Sequence, residues 1–136
     1  MPSRNTNVLH FYPDFTYHPR EIVDHFERFG KNHNLNHRVI TTFDEFDLKE
    51  GDLYFLVSDR TLARFLDQCS EKGFEPGHEV GVISYNETPM KKYVKEGITV
   101  ISTDFNQMGK KAAEFIVQGK PINVEIPTTL KLRSSL

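Results

Sequence analysis

Apolar residues along this chain follow two alternating rhythms. Short β-branched runs, bounded by Pro, Gly, Asp or Asn, fall near residues 8–12, 38–42, 53–57, 80–85 and 99–103. Runs of this kind predict buried strands of a parallel sheet. Between the first two, Ile22, Val23, Phe26 and Phe29 recur at helical spacing, predicting a helix over 19–29 that Pro19 starts and Gly30 ends. Leu62, Phe65, Leu66 and Cys69 do the same over 60–72, with Ser58 or Asp59 as cap and Gly73 as the stop. Right-handed crossovers through these helices predict an α/β fold, a three-layer α/β/α sandwich with a mostly parallel sheet and helices on both faces.

The remaining segments are less regular. Residues 1–7 are polar and read as a linker or a disordered start. The acidic stretch FDEFDLKEGD is too short for a full crossover helix. Thr88 and Pro89 can open a short segment carrying Met90, Tyr93 and Val94. Asp104 can cap a last helix with the face Met108, Ala112, Phe115 and Ile116, ending near Gly119. Residues 122–133 contain Pro127, which suits an edge strand or a crossing segment better than a central strand.

Size and composition narrow the class. A chain of 136 residues and 15.8 kDa is one domain in length and long enough to bury a core. A net charge of −2 and a pI near 6.3 argue against a DNA-gripping surface, which needs a basic face. The single cysteine, Cys69, leaves no partner for a disulfide within the chain, and its helical spacing makes it a small buried hydrophobe. With no run of membrane-span length and no signal-peptide core, the expected location is the cytoplasm. No Walker loop, GxGxxG, GxSxG or Ser-His-Asp arrangement is present, so neither an enzyme nor a cofactor is expected. The pair His33 and His37 in HNLNH has metal-ligand spacing but lacks the glutamate of the metalloprotease motif, and no metal is expected.

The ordered series VISYNETP, GITVISTDFNQMGKKAAEFI and VEIPTTLKLRSSL resembles the end of the effector-binding domain of lactose-repressor-type regulators. The wording ISTDFNQMGKKAA and the terminal RSSL are closer still to the branch in which such a domain follows a GntR-type winged helix. The resemblance covers residues 8–136. It implies a periplasmic-binding-protein-like lobe that senses a small molecule such as a sugar, a nucleoside or a related polar metabolite. It also implies DNA contact only through a domain outside this chain, and a homodimer. The helix in 105–136 would then pack on a second lobe that this chain lacks, or on a second copy, as expected of a truncated regulator.

Ligands of open α/β sheets bind at the carboxyl ends of the strands, which directs attention to the loops there. The resemblance places Arg20 on the arginine that grips effector hydroxyls or carboxylates, a task suited to a guanidinium fork. Asn86 stands where the family has an aspartate, which puts the usual sugar-recognition scheme in question, and Glu87 beside it could supply the missing carboxylate. Asp14, Thr16 and Tyr17 lie in the first loop, Phe43 and Asp59 in the next two. Tyr17 and Phe43 offer faces for stacking, while Asp59 could serve as a helix cap. The rival reading is a small enzyme or phosphoacceptor module using Asp14 and Asp59, although a receiver domain needs paired acids after the first strand and a lysine after the last.

Overall fold

The computed structural model describes residues 6–42 and 47–136. Its strands are β1 (Asn7–Phe11), β2 (Asn36–Ile40), β3 (Leu53–Leu56), β4 (Gly81–Tyr85), β5 (Thr99–Thr103) and β6 (Thr128–Lys131). They form one six-stranded sheet in the order β2-β1-β3-β4-β5-β6, parallel throughout except for the antiparallel pairing of β6 with β5. The helices are α1 (Glu21–Asn32), α2 (Asp59–Lys72) and α3 (Phe105–Gln118), with two short 3₁₀ turns at Pro89–Lys92 and Val94–Glu96. The tail expected to run extended supplies β6 on the sheet's edge.

Strand order fixes where the helices lie. The step from β1 to β2 and the step from β3 to β4 run in opposite directions across the sheet, so right-handed crossovers put α1 and α2 on opposite faces. The side chains agree: His10 packs on Phe26 of α1 at 5.0 Å between ring centroids, and Tyr54 packs on Phe65 of α2 at 5.2 Å. Because Leu9 pairs with Tyr54 and His10 with Phe55, His10 and Tyr54 point to opposite faces.

The two faces are covered unequally. Under α2 the sheet contributes Leu9, Phe11, Tyr54, Leu56, Val82 and Val100, all buried, joined by Leu62, Phe65 and Cys69 of the helix and by Leu48 of the β2–β3 connection. Each large side chain buried there contributes roughly 1.5–3 kcal/mol. On the other face α1 shelters His10 and Val23, whereas Val8, Leu53, Phe55, Ile83, Tyr85 and Ile101 are only half-buried. Helix α3 covers neither face, and none of its residues is buried.

Three local expectations need correction. Gly30 does not end α1; it is buried inside the helix, where a Cβ would lie 2.4 Å from the His37 ring. The glycine there serves close packing of helix on strand rather than termination. Ser58, not Asp59, caps α2, its Oγ accepting from the Thr61 N–H at 3.2 Å. The first two strands begin earlier than expected, since Asn7 and Asn36 pair at the start of the β1–β2 ladder. The end of α3 matches its pattern: Asp104 Oδ1 accepts from the Gln107 N–H at 2.9 Å, and Gly119 closes the helix at φ +63°.

The chain's last residues are sewn into the sheet. Ser135 is fully buried; its Oγ donates to the Val82 carbonyl and accepts from the Thr99 N–H, both at 2.8 Å. It thereby satisfies backbone groups between β4 and β5 below the point where those strands pair, groups that are costly to bury alone.

Candidate functional site

At the carboxyl ends of the parallel strands, three connections meet around Tyr85. Its ring meets His18 edge-on at 4.9 Å between centroids, tying the loop after β1 to the end of β4. Its carbonyl accepts from Lys91 Nζ at 3.0 Å, and the Asn86 carbonyl accepts from the same ammonium at 2.7 Å. The third partner of Lys91 is Asp59 Oδ1, at 2.7 Å, on the first residue of α2. An ammonium has three donors, and this buried one is satisfied by three oxygens from two connections.

The loop after β1 is held from below. The Tyr12 hydroxyl donates to the His18 carbonyl, and Thr16 Oγ1 accepts from the His18 N–H at 3.3 Å. Arg20, at the start of α1, lies with its guanidinium 6.0 Å from the centre of the Tyr12 ring, and Arg60 lies 5.4 Å from that of Phe15. Both arginines are exposed, and neither has a carboxylate partner among the described residues.

The carboxylates nearby are arranged differently. Glu87 is neither free nor solvated: Arg133 grips it through both terminal guanidinium nitrogens, Nη1 and Nη2, and Lys131 stands 3.6 Å away. The hydrogen bonds from Arg133 hold its carboxyl below the usual glutamate range. Glu87 therefore ties the end of β4 to the tail beyond β6. Asp59 remains two-thirds exposed although Lys91 holds one of its oxygens. Asp14 is exposed, and Tyr17 stands fully in solvent. Asn86 turns the chain sharply at φ +63°, a conformation asparagine tolerates better than most residues. Its N–H donates to the Ile101 carbonyl at 2.7 Å, and its side-chain amide makes no hydrogen bond among the described residues. Phe43 lies outside the described residues.

Arg20, Thr16, Asp59 and Asn86 thus belong to one surface through Tyr12, His18, Tyr85 and Lys91, while Asp14 and Tyr17 stand at its margin. Of the four linking residues, His18 and Lys91 carry no sequence signal: a lone histidine in a loop and a lysine in a KK pair read as solvated. His33 and His37 have separate partners, the first stacked on Phe29 at 4.1 Å and the second with Nδ1 2.8 Å from the Leu35 carbonyl. Among the described residues no three His, Cys, Asp or Glu side chains are placed to hold a metal ion, and no helix is long and apolar enough to cross a membrane.

Sequence comparison identifies the family. The periplasmic binding protein-like domain matches residues 7–136, nearly the whole chain. The chain belongs to that family. No curated protein matches it significantly. Among solved structures it is similar to a LacI-family transcription repressor from Corynebacterium glutamicum, at 15% identity and a TM-score of 0.72, covering 99% of this chain and 59% of that one. It is also similar to a transcription regulator from Lactobacillus plantarum, at 22% identity and a TM-score of 0.71, with 96% and 58% covered. A third is the lac repressor dimer bound to operator and an anti-inducer, at 14% identity and a TM-score of 0.71, with 98% and 53% covered. The chain therefore has the fold of lac-repressor-type regulators and spans a little over half the length of these relatives. The phosphoacceptor alternative finds no support among them.

Proposed function

We propose that this chain is the small-molecule-sensing part of a transcription regulator of the lac-repressor type, with its ligand bound at the carboxyl ends of β1, β3 and β4. The observation that carries the reading is the imbalance of free polar groups there. Among the described residues, Asp59 and Glu87 are engaged by Lys91 and Arg133, whereas the guanidiniums of Arg20 and Arg60 rest only against rings and the Asn86 side-chain amide has no hydrogen-bond partner. Guanidiniums recognise molecules rich in acceptor oxygens. A sugar, a nucleoside or a phosphorylated form of either fits, and a phosphate or carboxylate on the ligand would complement the surplus positive charge.

The solved repressor complex holds an anti-inducer and an operator. By analogy this domain would sense the ligand while another domain reads DNA, in keeping with its net charge of −2. A ligand can shift such a regulator only through different affinities for its two arrangements, so binding here is the first requirement. The test is a thermal-shift screen of sugars, nucleosides and their phosphates, followed by calorimetry on any that raise the melting temperature. The reading expects at least one to bind and Arg20→Ala to weaken it tenfold or more. Binding that leaves Arg20, Arg60 and Asn86 indifferent would remove the site from this surface.

A further inference from the structure

The turn that presents Asn86 is held from several sides. Asn86 sits at φ +63°, a conformation that a residue with a Cβ keeps only where its surroundings over-determine it. Two bonds to β5 supply part of that hold: the Ile101 carbonyl accepts from the Asn86 N–H at 2.7 Å, and the buried Ser102 Oγ accepts from the Glu87 N–H at 2.8 Å. Lys91 grips the Asn86 carbonyl. The further restraint on the turn comes from the tail, through Arg133 and Glu87.

Arg133 is itself built in. Its N–H donates to Thr99 Oγ1 at 2.9 Å, and its carbonyl accepts from the same hydroxyl at 3.2 Å, which pins its main chain to the first residue of β5. Its stem crosses Gly97, where φ is +108° and a Cβ would lie 2.9 Å from Arg133 Cδ. Nη1 donates to the Ile98 carbonyl at 2.8 Å and to Glu87 Oε1 at 3.2 Å, while Nη2 donates to Glu87 Oε2. The two side chains are only 16% and 15% exposed. A guanidinium can hold a carboxylate by two parallel bonds and still donate to a carbonyl, whereas an ammonium is a point charge without that fork. Among the described residues Arg133 makes no hydrogen bond or ion pair with Arg20, Asp59 or Asn86. Its influence on the ligand surface therefore passes through Glu87 and the turn.

We propose that Arg133 is a positioning residue of the ligand site, an inference that rests on the carboxyl-end reading above. Its grip on Glu87 keeps the Asn86 turn in the binding conformation and so sets ligand affinity without touching the ligand. Apparent affinity falls in proportion to the fraction of molecules in the competent conformation. An affinity loss of about threefold thus corresponds to a turn formed in about a third of molecules, whose amides exchange hydrogen almost as in an open loop.

The experiment compares the wild type with Arg133→Met, which keeps the stem over Gly97 and loses the fork, and with Glu87→Gln, Arg133→Lys and Ser135→Ala. Ser135→Ala loosens the same tail by removing its bonds to Val82 and Thr99 and leaves Glu87 gripped. Amide exchange followed by NMR without ligand is expected to show Asn86 and Glu87 nearly unprotected in Arg133→Met and Glu87→Gln. The same amides should be partly protected in Arg133→Lys and as in the wild type in Ser135→Ala. Calorimetry with glucose, gluconate, adenosine and AMP is expected to follow that order, with binding about threefold or more weaker in Arg133→Met and Glu87→Gln. Unchanged protection at Asn86 and Glu87 in both of these variants would overturn the proposal. So would lost protection with unchanged affinity, or an equal loss in Ser135→Ala, which would mark general loosening of the tail. A wild type that binds none of the four probes counts against the carboxyl-end site instead, and the exchange rates alone then decide whether Arg133 holds the turn.

Discussion

Lys91 and Asp59 meet at 2.7 Å across two connections of the sheet, and the pair is lopsided: the lysine side chain is 3% exposed and the aspartate 64%. The lysine is therefore the structural member. Its removal strands the carbonyls of Tyr85 and Asn86, each costing roughly 1–3 kcal/mol when left unsatisfied. Lys91→Met is expected to lower stability by about 2–4 kcal/mol in urea denaturation. Asp59→Asn should cost under about 1 kcal/mol, since solvent screens an exposed partner. Equal losses from the two variants would contradict this division.

His10 is a second buried polar group, enclosed by Tyr12, Phe26 and Phe55, and neither ring nitrogen has a hydrogen-bond partner among the described residues. Burial lowers its pKa from 6.5 to about 4. The folded state thus favours the neutral ring, and between pH 6.5 and 4 the unfolded chain binds more protons than the folded one. Stability therefore rises with pH across that window and is fully present above 6.5. The loss on acidification approaches about 3 kcal/mol. Urea midpoints at pH 7 and pH 4.5 measure it, with His10→Phe expected to flatten the difference; an unchanged slope in that variant would assign the effect elsewhere.

Glycine-to-alanine changes in two helices should have opposite signs. At Gly30 the new methyl meets the His37 ring at 2.4 Å, whereas at Gly109 it meets nothing. In an open helix alanine gains about 1 kcal/mol over glycine. Gly109→Ala is expected to raise the melting temperature, and Gly30→Ala to lower it. Melting curves followed by circular dichroism compare the two directly.

Much of this architecture is legible in the chain's pattern because burial and periodicity coincide. Val82 and Val100 sit in short β-branched runs, and Phe65 and Cys69 share a helix face; both patterns are local. Gly30 is ambiguous in sequence because termination and close packing call for the same residue, and only the position of His37 on β2 decides between them. Lys91 and His18 were invisible for a related reason. Lys91 reaches Asp59 across 32 residues and His18 meets Tyr85 across 67, so no short window of sequence contains either of those contacts. Glu87 shows the converse, a turn carboxylate whose fate depends on Arg133 in the tail.

The thiol of Cys69 offers a check on the core beneath α2. Burial raises its pKa to about 11, and thiolate is the reactive form. In native buffer at pH 7.5 it is expected to resist an aromatic disulfide reagent for hours and to react within minutes in denaturant. Rapid labelling of the native chain would mean that the α2 face opens.

The central claim is that the carboxyl-end surface binds an acceptor-rich small molecule through its uncompensated arginines. Isothermal titration of the best compound from the thermal-shift screen tests it most directly, performed on the wild type, Arg20→Ala, Arg60→Ala and, as a remote control, Lys72→Ala. Saturable one-site binding is expected, weakened tenfold or more by Arg20→Ala, weakened to a smaller degree by Arg60→Ala and unaffected by Lys72→Ala. Equal affinity in all four proteins would contradict the account.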